Sequence, residues 1–139
     1  MNFFMLGTPL LRHLAVTCLV AISAHSASAG EWPRYLGPNG NPVAPESDIP
    51  TEFTESDFNW KIDVPGKGHS SPVVWGDRLF LTSITGETTR AVICYSTETG
   101  EPLWSWETSF EPHNKHDLNE FASATPCLDA ERVYVFWTS

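Results

Sequence analysis

The sequence predicts an all-β fold, a β-propeller of four-stranded antiparallel blades, on three observations. First, a tryptophan-containing strand at 60–63 returns at 104–107. Second, the strand pair at 71–81 returns at 125–135, after an intervening loop that is longer in the second copy. Third, short apolar strands alternate with turns, and no window shows helical periodicity. A repeat of this length built from short strands is typical of a propeller with one repeat per blade.

Residues 1–29 are predicted to be a secretory signal peptide that is cut before Gly30. An apolar run at 14–22 is too short to span a bilayer, and the small residues 27–29 occupy the cleavage positions. An N-terminal anchor helix is the alternative, and Cys18 is a weak candidate for a lipoprotein cysteine. We expect an exported product in the periplasm, the cell envelope or the medium, without a transmembrane span after signal removal.

The mature chain is strongly acidic. It keeps seven of the eight basic residues and all 17 acidic ones, for a net charge of −10. Such a surface repels phosphate groups, so a nucleic acid partner is not expected. Two cysteines remain, Cys94 and Cys127, and in an exported protein they can pair. Both occupy apolar strand positions, so two buried free thiols are preferred over a disulfide.

Residues 30–57 are rich in proline, glycine and acidic side chains. Because proline lacks the backbone donor that a central strand needs, this stretch predicts an extended arm lying on the domain. The Pro-Asn-Gly run at 38–40 predicts a tight turn. Trp32 and Tyr35 are expected to hold the arm on an apolar surface.

From residue 58 the pattern changes to short strands and turns. Residues 58–64 alternate apolar and polar side chains, and they align with 103–108, the fourth strand of the first blade. They are therefore a candidate latch strand, one that completes the last blade of the ring. The first blade is predicted over 70–108, with a turn at Gly100 where glycine allows positive φ. Its four predicted strands are 71–75, 78–83, 91–96 and 103–108.

Residues 124–139 repeat the first two strands of that blade and predict a truncated second blade. A propeller needs about four blades or more to close, and one and a half blades leave faces and edges bare. We therefore expect the chain to be an N-terminal fragment of a longer protein. The alternative is that the mature chain, from Gly30 to Ser139, forms a self-sufficient small domain.

Two stretches resemble a known family. Residues 91–104 combine an apolar strand, a turn ending in Thr-Gly and a tryptophan, similar to the repeat of quinoprotein-type propellers. Residues 32–40 and 68–78 resemble a group of exported bacterial proteins, the PQQ-binding-like β-propeller repeat proteins abundant in planctomycetes. The resemblance extends over nearly all of the mature chain.

The resemblance implies a propeller but no single activity. The family includes quinoprotein dehydrogenases and also a propeller lipoprotein of the outer-membrane assembly machinery that binds no quinone. The enzyme branch has adjacent cysteines, together with carboxylate and amide ligands for calcium near pyrroloquinoline quinone (PQQ). Here Cys94 and Cys127 are not adjacent in the sequence, and no carboxylate matches a calcium ligand. No catalytic, cofactor-binding or metal residue is therefore assigned, and PQQ is expected only if missing blades hold it.

Three further motifs have plainer interpretations. Residues 66–71 look like a phosphate loop, but the spacing differs from a P-loop and no helix follows, so a connection between blades is preferred. His113, His116 and Asp117 are candidate zinc or copper ligands in a polar loop that accommodates them without metal. The strand tryptophans suggest a surface for sugar or quinone stacking. Each buries roughly 150–250 Å², so packing of blade against blade is preferred.

Topology predicts where a ligand binds. In a blade that runs outward from the axis, the connection between blades and the loop between strands two and three share one face. The first (65–70), second (84–90) and third (111–123) connections are therefore expected to meet at one rim, and loops on a rigid scaffold often carry binding. The candidate ligand-face residues are Lys67, His69, Arg90, His113, His116 and Asp117, with Glu87 and Lys115 beside them.

Three functions follow from these observations. The preferred one is a non-catalytic binding or scaffolding propeller of the cell envelope, with a protein or small-molecule ligand at the rim. The second is a PQQ-dependent dehydrogenase whose cofactor-binding residues lie in missing blades. The third is a sugar-binding or carbohydrate-processing propeller.

Overall fold

The structure, a computed structural model, describes residues 30–44 and 50–137. Within these residues the chain is all-β, with a single 3-10 turn at Glu55–Asp57 and no α-helix. The predicted signal peptide lies outside the described residues. In the described part of the chain, no helix has the length and apolarity needed to cross a bilayer. The strands are β1 (Val73–Trp75), β2 (Arg78–Gly86), β3 (Thr89–Ser96), β4 (Pro102–Ser109), β5 (Cys127–Leu128) and β6 (Val133–Tyr134).

Strands β1 to β4 form one antiparallel sheet, hereafter the first sheet, in which each strand lies beside its neighbour in sequence. The four strands predicted for the first blade are confirmed as strands. Tight turns join them, and Gly76 and Gly100 have φ angles of 57° and 72°. Leu103 is an extra residue in β4, because Cys94 pairs with Trp104 while the next residue pairs with Pro102.

The first sheet has two apolar faces, because side chains alternate along each strand. On face A, Ala91, Ile93 and Tyr95 are buried, and Leu79 and Leu81 pack against them. On face B, the buried side chains are Val73, Phe80 and Cys94. Both faces are therefore built for contact with other layers of the protein.

Strands β5 and β6 form a second hairpin with the register of the first. Cys127 pairs with Tyr134 and Leu128 with Val133, in the same alignment that joins β1 to β2. Leu128 and Val133 pack on face B of the first sheet. Their counterparts in the first sheet, Val74 and Leu79, lie on its opposite face. The hairpin thus places its own face A against face B of the first sheet.

The prediction that both remaining cysteines are buried is wrong for one of them. Cys94 is fully buried on face B, whereas Cys127 is exposed, and neither is in a disulfide. Cys127 is the counterpart of Val73 and belongs to face B of the second hairpin. No other described residue covers that face at Cys127, so its thiol faces solvent.

The two thiols are expected to react at different rates. Burial raises the pKa of the Cys94 thiol, so this group stays protonated at neutral pH, and the thiolate is the nucleophile. Iodoacetamide should alkylate Cys127 in the native chain and Cys94 only after denaturation. Peptide mass spectrometry of alkylated samples measures both rates, and equal rates in the native chain would contradict this placement.

Two of the strand tryptophans are less covered than predicted. Trp104 and Trp106 on β4 are 40% and 55% exposed. They line one side of an open crevice of about 590 Å³, whose other side is formed by Val133, Val135 and Trp137. The ring of Trp137 stacks on Trp106 at 6.4 Å between centroids. The tryptophans therefore do join the two repeats, but only along one edge of the crevice.

Residues 58–64 form no strand, because none of their backbone groups pairs with a strand in the described part of the chain. They run across face A, where Ile62 lines a hollow together with Ile93 and Tyr95. Trp60 anchors them: its indole Nε1 donates to Thr97 O over 2.8 Å. Its ring lies so close to Gly100 that a Cβ there would approach within 2.7 Å.

The arm is held on the first sheet by its backbone, whereas the ring of Trp32 lies against Gly37 of the arm itself. Trp32 pairs with Val74 through two hydrogen bonds of 2.9 Å, on the edge of β1 that β2 leaves free. The next carbonyl, Pro33 O, accepts from Leu128 N over 2.8 Å. Leu128 is the counterpart of Val74, so consecutive arm carbonyls bind equivalent amides of the two repeats. Tyr35 is 62% exposed and does not hold the arm as predicted, because it begins a turn at 35–40 that includes the turn predicted at 38–40.

The second hairpin depends on one carboxylate. Asp129 Oδ2 accepts from Tyr134 Oη over 2.6 Å, while Oδ1 accepts from the amides of Glu131 and Arg132 over 2.8 and 2.7 Å. The bond from Tyr134 is the largest cause that holds the pKa of Asp129 below its ordinary value, followed by the amide of Glu131. These bonds close the turn between β5 and β6.

Acid should therefore open this hairpin. A depressed folded pKa means that the stabilisation is present above the unfolded pKa of about 3.9 and is lost as the pH falls through the folded value. We expect the Tyr134 ring signals to move to their unfolded positions below about pH 4. Asp129→Asn should weaken the hairpin at neutral pH and remove this acid step. An NMR titration measures it, and an acid step that persists in Asp129→Asn would contradict the assignment.

Candidate functional site

The connections predicted to share a rim do lie against one another at one end of the first sheet. Lys67, in the first connection, pairs with Ile84: the bond to Ile84 O is 3.0 Å and the bond from Ile84 N is 2.7 Å. His69 N donates to Ala122 O of the third connection over 3.2 Å. Backbone hydrogen bonds thus hold the first connection between the third connection and Ile84, which lies near the end of β2. Of the predicted second connection, 84–90, only residues 87–88 lie outside the strands. We call this turn and the first and third connections the rim.

Glycine makes the first of these contacts possible. Gly66 has a φ of 85°, and a Cβ at this position would lie 2.0 Å from Ile84 O. Next to it, Ser83 Oγ donates to Pro65 O over 2.5 Å. The Gly-Lys-Gly sequence that looks like a phosphate loop is therefore explained by close approach of two backbones.

The third connection is polar in sequence but has an apolar anchor. The ring of Phe121 lies 4.8 Å from that of Phe110 and 5.0 Å from the imidazole of His113, which meets it edge-on. Ala122 is fully buried beside it. The longer loop of the second repeat is thus fastened to the sheet, and His113 has a defined place on this loop.

A short network organises the middle of that loop. Lys115 Nζ lies 3.8 Å from a carboxylate oxygen of Glu120 and 5.7 Å from the ring centroid of Phe121. Ser123 Oγ donates to Glu120 O over 2.7 Å and accepts from Glu120 N over 3.0 Å. The ion pair is partly exposed, so its contribution to stability is at most about 1 kcal/mol. It pairs two opposite charges on the third connection.

Two open clefts flank Glu120, which lines both. The connection cleft, about 460 Å³, lies between the first connection and β2, and Lys67 and His69 line it. The loop cleft, about 360 Å³, lies between the third connection and the end of the described chain, and His113 and His116 line it. Four of the six candidate ligand-face residues therefore border a concave surface. Glu87 and Asp117 are exposed and line neither of these two clefts.

Arg90 belongs to the interior rather than to the ligand face. Only 5% of it is exposed, and its guanidinium carbon lies 4.2 Å from the ring centroid of Phe110 and 5.5 Å from that of Trp137. Cation–π stacking of this kind is more stabilising away from water. Burial also lowers the pKa of Arg90, although a guanidinium stays protonated. Arg90 therefore joins the first sheet to Trp137, which lies just beyond the second hairpin.

The histidine pair of the third connection makes local contacts. His116 Nδ1 accepts from the amide of Leu118 over 3.2 Å, and His113 Nδ1 lies 3.4 Å from Glu111 O. Within residues 30–44 and 50–137, no group of three or more His, Cys, Asp or Glu side chains is arranged to hold a metal ion. The rim therefore offers imidazoles as hydrogen-bonding groups.

Glu120 and Phe121 are the rim residues that the sequence analysis missed. Glu120 separates the two clefts, and Phe121 anchors the loop between them. The sequence offered one signal, a single phenylalanine within a long polar loop, since phenylalanine is among the residues that are most often buried. Its partners, Phe110 and His113, are too few to produce a periodic pattern.

Comparison of the chain with protein-family models, with curated proteins and with solved structures finds no match in any of the three. What the chain does therefore has to follow from the repeat geometry and from the chemistry of the rim.

Proposed function

We propose that this chain belongs to an exported β-propeller repeat protein of the PQQ-binding-like kind, and that it acts as a non-catalytic binding or scaffolding module of the cell envelope. The ligand binds at the rim. The observation that carries the proposal is the packing of Leu128 and Val133 on face B of the first sheet, from positions equivalent to Val74 and Leu79 on face A.

Such packing is head to tail, because face A of each unit packs on face B of the unit before it. Because the contact joins two different surfaces, a stack of units has a free face A at one end and a free face B at the other. Units can therefore be added until these two free faces meet and a ring closes. Four-stranded antiparallel sheets stacked in this way are the blades of a propeller. The matching register of the two hairpins supports the same geometry, because each hairpin would form the first two strands of a blade with the same cross-strand pairs.

Residues 58–64 fit the fourth strand of a preceding blade. They lie on face A of the first sheet. Their counterpart by sequence is β4, whose Trp104 and Trp106 border face A of the second hairpin in the same way. In a ring, the unpaired backbone of 58–64 would pair with the remaining strands of the last blade. This supports the latch interpretation.

The arm supports binding over quinone chemistry. In the proposed propeller β1 and β5 are the innermost strands, and Trp32 and Pro33 bind their free edges. The arm then fills the axial side of these two blades, where a quinone at the ring centre would have to lie. Addition of PQQ and calcium to the full-length propeller, with all its blades, should produce no dye reduction. Activity that depends on both additions would favour the dehydrogenase.

Rim binding is tested with the three exposed or half-exposed imidazoles. The triple variant His69→Ala, His113→Ala, His116→Ala should lose at least fivefold in co-sedimentation with washed cell envelopes, because these groups border both clefts. A matched control replaces Lys61, Glu98 and Glu131, which are exposed and line neither cleft, and should bind as the wild type does. Unchanged binding of the triple variant would end the proposal of a rim ligand.

Export makes a separate prediction. Expression of the full sequence in a Gram-negative host should give a periplasmic product whose first residue is Gly30, because the small residues before it suit signal peptidase. N-terminal sequencing of the fractionated product measures this. A product that retains Met1 in the cytoplasm would contradict the exported location without affecting the fold.

A further inference from the structure

The connection cleft has the size and the mixed chemistry of a small-ligand site. All of its lining residues lie between positions 64 and 120, on or beside the first connection, on β2 and on the third connection. Its volume of about 460 Å³ falls within the range that is usual for such sites. Val64 and Leu81 give it apolar walls, whereas Lys67 and His69 border it with an ammonium and an imidazole.

The charge that lines this cleft is opposite in sign to that of the chain as a whole. Among the acidic residues of the described chain, only Glu120 lines the cleft, and its carboxylate lies 3.8 Å from Lys115 Nζ. Lys67 forms no ion pair with any described residue. Charges farther away than about 8 Å are largely screened at physiological ionic strength. A group bound in the cleft therefore meets an unpaired ammonium rather than the acidic surface outside it.

The backbone that presents these two side chains is fixed on both sides. Lys67 N and O are both bonded to Ile84. Ser70 Oγ accepts from Thr82 N over 3.0 Å and donates to Thr82 O over 3.2 Å. Lys67 and His69 lie between these two attachments, so the cleft is already formed before a ligand arrives. Such preorganisation lowers the entropic cost of binding.

We propose that the connection cleft binds an anionic group of the envelope ligand, a carboxylate or a phosphate, through the ammonium of Lys67 and a ring N–H of His69. A lysine ammonium has three donors and pairs with either anion as a point charge. A neutral imidazole has one ring N–H to donate beside it. The inference rests on the proposed rim function and names the chemistry of its ligand. A nucleic acid is still not expected, because most of its phosphates would face the acidic surface outside the cleft.

Amide NMR of the labelled chain tests the site with three probes at constant ionic strength: inorganic phosphate, glucuronate and glucose. At millimolar concentration, at least one of the two anions should shift the amide signals of residues 66–70 saturably. Glucose, which carries no charge, should not. Tighter binding of phosphate would identify the source as a phosphorylated lipid or sugar, and tighter binding of glucuronate would identify it as an acidic sugar. Either result supports the proposal.

Lys67→Gln should weaken anion binding at least fivefold, because it removes the ammonium and keeps the backbone bonds to Ile84. An unchanged Ile84 amide signal would show that the first connection stays in place. Lys61→Gln is the matched control, since Lys61 is exposed, does not line the cleft and pairs only with the exposed Glu55. It should bind anions as the wild type does. No saturable shift with either anion, equal shifts with glucose, or equal affinity in Lys67→Gln would overturn the proposal.

Co-sedimentation with envelopes separates this inference from the proposed function. If the triple histidine variant loses envelope binding but neither anion binds the chain, the rim function stands and the anionic ligand is wrong. If anions bind through Lys67 but the triple variant still sediments with envelopes, the anion site stands and the envelope function is wrong.

Discussion

Phe80→Ala should lower the free energy of unfolding by about 3–5 kcal/mol, the usual cost of removing a buried phenylalanine. Phe80 is 5% exposed, and it packs with Val73, Cys94 and Leu128 where the second hairpin meets the first sheet. Its ring also lies 5.7 Å from that of Trp104. The deletion therefore leaves a cavity at the contact between the two repeats. Urea denaturation measures the change.

Phe53→Ala is the matched control, because Phe53 is 58% exposed and its loss should change stability by less than about 0.5 kcal/mol. A double-mutant cycle with Leu128→Ala then isolates the contact between repeats. Residues in contact usually couple by about 0.5–3 kcal/mol. Additive losses would mean that Phe80 and Leu128 do not meet in solution.

Gly66→Ala should cost about 3 kcal/mol and also abolish rim binding, because two penalties add at this position. Positive φ alone costs an alanine about 1–2 kcal/mol. The new Cβ would in addition lie 2.0 Å from Ile84 O, a backbone atom that cannot move without breaking the Lys67–Ile84 pair. Two hydrogen bonds of that pair contribute about 1 kcal/mol each. The first connection, which carries Lys67 and His69, would then leave the rim.

Gly40→Ala separates the cost of positive φ from the cost of the clash with Ile84 O. Gly40 has a φ of 67°, also in the left-handed region, but a Cβ there meets nothing within 4 Å. This variant should therefore lose only the conformational part, about 1–2 kcal/mol, and keep wild-type envelope binding. Thermal unfolding and co-sedimentation of the two variants measure stability and binding separately. Equal losses in both would contradict the close approach at Gly66.

The strands were predictable because their cause is local. Apolar residues run through 91–95, and a glycine stands at each turn between the four strands of the first sheet, so pairing of neighbours followed directly. The rim was predictable for a topological reason, since connections at one end of a meander must meet. The shared register of the hairpins also follows from sequence, because Pro72 and Pro126 precede strands of the same pattern.

The remaining features depend on which residues, distant in sequence, pack against a given side chain. Cys127 and Val73 are equivalent in sequence, but only one of them has a covering layer. From the sequence, Arg90 is predicted to be a cation on the rim. In the structure, Phe110 and Trp137, from distant parts of the chain, cover its guanidinium. Local pattern does not determine which distant aromatic residue arrives, so burial of single charged residues could not be predicted.

The central claim is that the segments 73–80 and 127–134 form equivalent hairpins, and that the second packs head to tail on the first sheet. The most direct measurement is a nuclear Overhauser spectrum of the chain with labelled leucine methyls, phenylalanine and tyrosine rings, and cysteines. Cross-peaks from the Leu128 methyls to the Phe80 ring, together with cross-strand peaks between Cys127 and Tyr134, are expected. Leu128 methyls with solvent-like shifts and no peak to Phe80 would contradict the account.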